Sequence, residues 1–181
     1  MNLPNRLTLL RVLLVPLFVA VAYWQVPYGA RLAGALFLLA ALTDGLDGYL
    51  ARKRRMVTRL GKLMDPLADK LLVCAALVSL VEMHRLPGWV AMIIIGRELA
   101  VTGLRSFLSR EGEVLEASLT AKLKTACQVV ALAALFWQES PFSWHDPTPA
   151  NLALMAALLL TLLSGWDYFR RGWAVIKKGG Y

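Results

Sequence analysis

Only two cysteines and two histidines occur in 181 residues, so the chain has almost no soft metal ligands and few of the side chains that usually carry nucleophilic or proton-relay chemistry. Cys74 and Cys127 both fall inside apolar runs. They form no disulfide framework and have no metal-ligand spacing, so they read as small packing residues. His84 and His145 lie near turns and are given no catalytic role. Acidic residues are scarce as well, 12 Asp and Glu against 20 Lys and Arg, a net charge of +8. Internal repeats and low-complexity linkers are missing, so the expectation is a single domain over residues 1–181.

What the chain has in abundance is apolar sequence. With 58% hydrophobic residues and a mean hydropathy of +0.56, it is too apolar for an ordinary soluble domain; the fold expected is all-α, an integral membrane bundle. Six apolar spans can be drawn, Leu7 to Trp24, Arg31 to Ala51, Met64 to Met83, Trp89 to Leu108, Leu119 to Trp137 and Asn151 to Phe169. A signal peptide is the rival reading of the first. Arg11 and Pro16 interrupt that run, and the second span needs a partner to return the chain.

The basic residues gather at the ends of the spans, where anionic lipid head groups lie, so membrane lipids are the expected partners and nucleic acid is not. With six spans, Arg6, Arg52, Lys53, Arg54, Arg55, Arg59, Lys62, Arg110, Lys122, Lys124, Arg170, Arg171, Lys177 and Lys178 fall on one side, and only Arg31 and Arg85 on the other. That bias makes the richer side cytoplasmic and puts both termini there. Tyr23, Trp24, Trp89, Trp137 and Trp144 then mark the outer interface, and Trp166 and Trp173 the inner one.

The few acids are concentrated where they cost most. Asp44 and Asp47 close one apolar run, and Asp65 and Asp69 open the next. Ionisable residues at span ends are expensive and mark function by default. Spacings of three and four put each pair on one helical face, so two facing pairs form a cage of four carboxylates. Carboxylate oxygens suit Mg²⁺, Mn²⁺ or Ca²⁺, and two such ions can clamp a phosphoryl group. Gly48 and Ala51 continue the stripe from Asp44, where small residues admit a backbone or a flat ligand, and Arg52 is placed to meet a phosphate. The bland alternative is four solvated aspartates pairing with the basic loop from Arg52 to Lys62.

Asp44, Asp47, Gly48, Ala51, Arg52, Gly61, Asp65 and Asp69 together spell D-x-x-D-G-x-x-A-R-x8-G-x-x-x-D-x-x-x-D. This resembles the signature of the CDP-alcohol phosphatidyltransferase family at every fixed position. The resemblance implies a six-span membrane enzyme that uses two divalent cations, Mg or Mn, to move a phosphatidyl group from a CDP-linked lipid to an alcohol, with release of CMP. It implies Asp44, Asp47, Asp65 and Asp69 as metal ligands and Asp69 also as the general base. Gly48, Ala51, Arg52 and Gly61 would hold the CDP moiety, joined by Asn5, Thr8 and Arg11, which match the P-N-x-L-T-x-x-R start often seen beside the nucleotide site. The family also implies a homodimer.

The acceptor is read from a second cluster. Arg97 and Arg105 are eight residues apart, about two helical turns, and Lys122 follows in the next span. Three cations suit a phosphate dianion better than a neutral polyol, choline or serine. An internal salt-bridge network of Arg97 and Arg105 with Glu98 or with the four aspartates is the structural alternative, and Lys122 and Lys124 could simply snorkel to the interface. The run G-R-E-L-A-V-T-G-L-R from Gly96, with K-L-K-T from Lys122, is similar to the bacterial phosphatidylglycerophosphate synthase branch of the family. That branch implies CDP-diacylglycerol as donor, glycerol 3-phosphate as acceptor, and a multi-pass protein of the bacterial cytoplasmic membrane whose active site faces the cytoplasm. Inositol phosphate, serine or phosphatidylglycerol are the alternative acceptors. A divalent-cation transporter would explain the aspartates but not the Arg97, Arg105 and Lys122 cluster, which would repel its cargo.

Overall fold

A computed structural model describes the backbone of residues 3–24, 28–54, 59–110, 118–143 and 146–178, and the side chains of residues 12–24, 28–43, 70–109, 118–143 and 146–177. Among these residues the only regular elements are helices, α1 Leu3–Ala22, α2 Gly29–Arg54, α3 Arg59–Glu82, α4 Gly88–Arg110, α5 Leu119–Trp137 and α6 Pro149–Lys178. Each apolar run of the sequence has become one helix. Two of them, α5 and α6, are long and apolar enough to cross a membrane by length and composition.

The helix ends follow from local chemistry. Ser118 caps α5, its Oγ accepting the Ala121 amide at 3.3 Å. Thr148 does the same for α6, accepting from the Asn151 amide at 3.2 Å, with Pro149 in the first turn where its missing N–H costs nothing. Asn151 is buried and donates to the carbonyls of Ser143 and Asp146, tying the preceding loop to the start of the helix. At the end of α3 the Arg85 amide donates to Leu80 O at 2.9 Å and the His84 amide to Val81 O at 3.0 Å. This is a Schellman cap, with His84 at the left-handed position.

The helices fall into two compact units. The first holds α1 to α3 and the last turns of α5, residues 132 onward. There α1 packs on α2 and α3, and α2 on α3. Its core of buried Leu and Ala side chains holds an aromatic cluster: Phe18 of α1 meets Phe37 of α2 at 6.3 Å and, edge-on, Phe136 of α5 at 5.6 Å. Gly34 lets α2 and α5 approach, since a Cβ there would lie 2.6 Å from that of Phe136.

The two arginines that depart from the charge bias both have partners in this unit. Arg31 makes an ion pair with Glu139 and lies over the Tyr28 ring. Arg85 donates from Nη1 to Phe136 O at 2.8 Å, placing a cation on the carbonyls that end α5. Burial pushes the Arg85 guanidinium below its usual pKa, a shift that Glu139 opposes and Arg31 adds to.

The second unit holds α4, α6 and the first part of α5, residues 119–131. Here α4 and α6 pack along their length. Val90, Ile94, Val101 and Leu108 of α4 are buried, as are Leu154, Ala157, Thr161, Ser164 and Tyr168 of α6. Steps of three, four and seven keep each set on one stripe. Between them lie large apolar side chains on the outer faces, among them Met92 and Leu99 of α4 and Leu159 and Trp166 of α6.

Candidate active site

The first unit carries all eleven residues assigned from sequence to metal and CDP-lipid. Asn5, Thr8 and Arg11 fall on α1. Asp44, Asp47, Gly48, Ala51 and Arg52 fall on α2, and Gly61, Asp65 and Asp69 on α3. Their side chains lie outside the described residues, so the placement is one of backbone and register.

That register is informative. Because α2 ends at Arg54 and α3 begins at Arg59, two helices in contact are joined by four residues and run antiparallel. Asp44 lies ten residues before the end of α2 and Asp69 ten residues after the start of α3; Asp47 and Asp65 lie seven and six residues from those ends. At 1.5 Å per residue the two pairs therefore sit at matching depths, about 15 Å and about 10 Å from the turn. Both pairs keep the spacing of a single helical face, because α2 and α3 are continuous through them. Four hard oxygen donors on two adjoining helices fit one or two Mg²⁺ or Mn²⁺ ions, and the 44–69 stretch contains no histidine or cysteine that would favour a softer metal.

The second unit holds the cations assigned to the acceptor, and their environments differ. Arg97 of α4 is largely buried, with 10% of its side chain exposed. Its Nη1 donates to Glu98 Oε1 at 3.3 Å and its Nη2 to Ser164 Oγ of α6 at 2.8 Å, while the guanidinium lies 5.8 Å from the centre of the Tyr168 ring. The internal network left open by the sequence is therefore present. Arg105 of α4 and Lys122 of α5 are exposed, with no ion pair to either among the described residues.

Lys124 does not take the snorkelling alternative left open for it. Its side chain is only 4% exposed, and its Nζ is paired with the same Glu98 Oε1 that holds Arg97. Glu98 was the one available signal, as the sole acid of its span beside an arginine. Ser164 and Gly165 gave none. A Cβ at Gly165 would come within 3.2 Å of Arg97 Cγ, so the absence of a side chain there is what lets the arginine lie against α6.

The sequence profile of the CDP-alcohol phosphatidyltransferases matches residues 1–164. The chain belongs to the CDP-alcohol phosphatidyltransferase family. Among its relatives, the CDP-diacylglycerol--glycerol-3-phosphate 3-phosphatidyltransferase of Bacillus subtilis is 45% identical, with 97% of each chain covered. The protein of the same name from Pseudomonas fluorescens is 39% identical over 99% of this chain and 94% of its own. A probable phosphatidylglycerophosphate synthase of Mycobacterium tuberculosis is 42% identical over 94% of this chain and 81% of its own. The family match covers the four aspartates, and all three relatives span the Arg97 to Lys124 segment by extent of coverage.

Proposed function

We infer that this chain transfers a phosphatidyl group from CDP-diacylglycerol to glycerol 3-phosphate, giving phosphatidylglycerophosphate and CMP. The observation that carries the reading is near full-length similarity to relatives named for that reaction, in a chain that keeps the complete eight-residue family signature. The protein is then a multi-pass protein of the bacterial cytoplasmic membrane, folded as a six-helix bundle with both termini and the active site toward the cytoplasm. The many large apolar side chains on its outer surface support that setting, since a water-facing surface rarely displays so many. A homodimer follows the family pattern.

Asp44, Asp47, Asp65 and Asp69 would hold two divalent cations, which when bound neutralise charge on the diphosphate and make CMP a better leaving group. Gly48, Ala51, Arg52 and Gly61, with Asn5, Thr8 and Arg11, hold the CDP moiety and orient its diphosphate. Arg97, Arg105 and Lys122 bind the phosphate of the acceptor. The acceptor hydroxyl oxygen bonds to the phosphorus that carries diacylglycerol, the bond from that phosphorus to the bridging oxygen breaks, and the oxygen leaves with CMP. Asp69 takes the hydroxyl proton.

The test is CMP release by the purified protein in detergent with CDP-diacylglycerol and Mg²⁺, offering glycerol 3-phosphate, inositol phosphate, serine and phosphatidylglycerol in parallel. Release is expected with glycerol 3-phosphate alone. Asp69→Asn should lower it by about a thousandfold or more. Chelation should abolish it and Mg²⁺ or Mn²⁺ restore it. Release with serine or phosphatidylglycerol instead would overturn the role given to Arg97, Arg105 and Lys122.

A further inference from the structure

The network around Arg97 has more parts than a helix brace requires. Two cations, Arg97 of α4 and Lys124 of α5, converge on one carboxylate oxygen, Glu98 Oε1. Both are largely withdrawn from solvent, with side chains 10% and 4% exposed. A buried ion pair is poor value as a fastener, because the desolvation of each ion cancels most of the attraction and apolar side chains of similar volume would hold the helices as well. A third charge of the same sign as one of the pair makes a fastener worse.

The arrangement makes sense if its product is the orientation of one guanidinium. The Ser164 hydroxyl has one hydrogen, which goes to the carbonyl of Leu160 at 2.6 Å or Thr161 at 3.2 Å. Its oxygen is therefore left as an acceptor for Arg97 Nη2. Glu98 takes Nη1 from the other side, the Tyr168 ring lies near the guanidinium, and Gly165 makes room for the stem. The plane and direction of the guanidinium are thus fixed before any ligand arrives, while Nε is buried with no hydrogen-bond partner among the described residues. Only two of the five N–H groups an arginine carries are engaged by these contacts.

We propose that Glu98, itself fixed by Lys124, and Ser164 are positioning residues that hold the Arg97 guanidinium ready for a phosphate-bearing acceptor. The proposal rests on the function inferred above and deepens it. Neither Glu98 nor Ser164 touches the acceptor; each acts through Arg97. Lys124 acts one step further out, holding the Glu98 carboxylate in place and offsetting its charge, so that the cluster keeps an excess of positive charge for an anion to balance.

Two effects of Glu98 oppose each other, and the sign of one measurement separates them. If the carboxylate mattered only as a charge, its removal would raise the local positive potential and tighten binding of an acidic acceptor. If it positions Arg97, its removal loosens binding in spite of that. Steady-state kinetics of the full-length protein in detergent, varying glycerol 3-phosphate and CDP-diacylglycerol separately, should therefore be run on Glu98→Gln, Ser164→Ala, Lys124→Met and Lys124→Arg. Glu98→Gln and Lys124→Met should raise the KM for glycerol 3-phosphate by about tenfold, with the KM for CDP-diacylglycerol within about twofold of the unsubstituted protein. Ser164→Ala, which removes one neutral hydrogen bond and should fold readily, should raise it by about threefold. Lys124→Arg should recover most of what Lys124→Met loses. A fall in the acceptor KM for Glu98→Gln would overturn the proposal. Unchanged KM values for both substrates, with only thermal stability reduced, would overturn it in favour of a simple brace. An unsubstituted protein with no glycerol 3-phosphate-dependent release would overturn the inferred function first, and this assignment with it.

Discussion

His84 sits at φ 57°, the left-handed region that closes the α3 cap and that glycine adopts without strain. Its side chain is exposed, so the position is governed by backbone conformation and not by packing. Its carbonyl accepts the Phe142 amide at 2.9 Å, so the strained turn also anchors the end of the α5–α6 connection. His84→Gly should raise stability by about 0.5–1 kcal/mol, whereas His84→Val, β-branched and ill suited to positive φ, should lower it by about 1–2 kcal/mol. Thermal unfolding in detergent reads both. If the glycine variant were the less stable, the imidazole would have to be making a contact that offsets the strain. The sequence places His84 near a turn but does not show that the histidine takes the glycine-like position.

Between elements, close approach is set by residues with no side chain. Gly34 and Gly172 look alike in sequence, yet they oppose different atoms. A Cβ at Gly34 would meet the Cβ of Phe136 at 2.6 Å, an atom fixed to the backbone of α5; at Gly172 it would meet Leu104 Cδ2 at 2.7 Å, the far end of a side chain that can turn away. Gly34→Ala should therefore cost about 1–3 kcal/mol and Gly172→Ala much less, a difference readable as the separation of their unfolding midpoints. Equal effects would mean that α2 can shift away from α5 as easily as a leucine can change rotamer. The same scale explains what could be read from the chain beforehand. Run length and turn residues gave all six helices, because an apolar run of span length has few alternatives. The end of α6 was missed by nine residues, Phe169 expected against Lys178 observed, because the apolar boundary was read as the helix boundary. Arginine, lysine and alanine continue a helix readily, and Gly172 packs on α4 beyond that boundary. The family was legible because the signature that carries it resides in spacing along one chain segment. The partnership of Lys124 with Glu98 was not, since it depends on which faces of α4 and α5 meet.

For the whole molecule, the proposed orientation rests on an asymmetry of positive charge along the chain. Of the two cations on the sparse side, Arg31 is neutralised by Glu139 and Arg85 is spent on the carbonyls ending α5. A cation already balanced by an acid or a helix terminus interacts less with lipid head groups. On the richer side Lys124 and Arg171 are likewise paired, with Glu98 and Asp167, so leaving out the cations paired among the described residues, two on each side, keeps twelve against none. The loop after α5 should then face outward and the end of α6 should face the cytoplasm. Single cysteines at Ser140 and at Lys177, both exposed, test this in a background in which Cys74 and Cys127 are serine. A membrane-impermeant maleimide should label Ser140→Cys in spheroplasts and leave Lys177→Cys unlabelled, and inverted vesicles should give the reverse. The opposite result would remove more than a topology. It would open the proposed acceptor site to the extracytoplasmic side, and a charged phosphate ester does not cross the hydrocarbon core unaided. The cation cluster of α4 and α5 would then need an extracytoplasmic anion as its ligand.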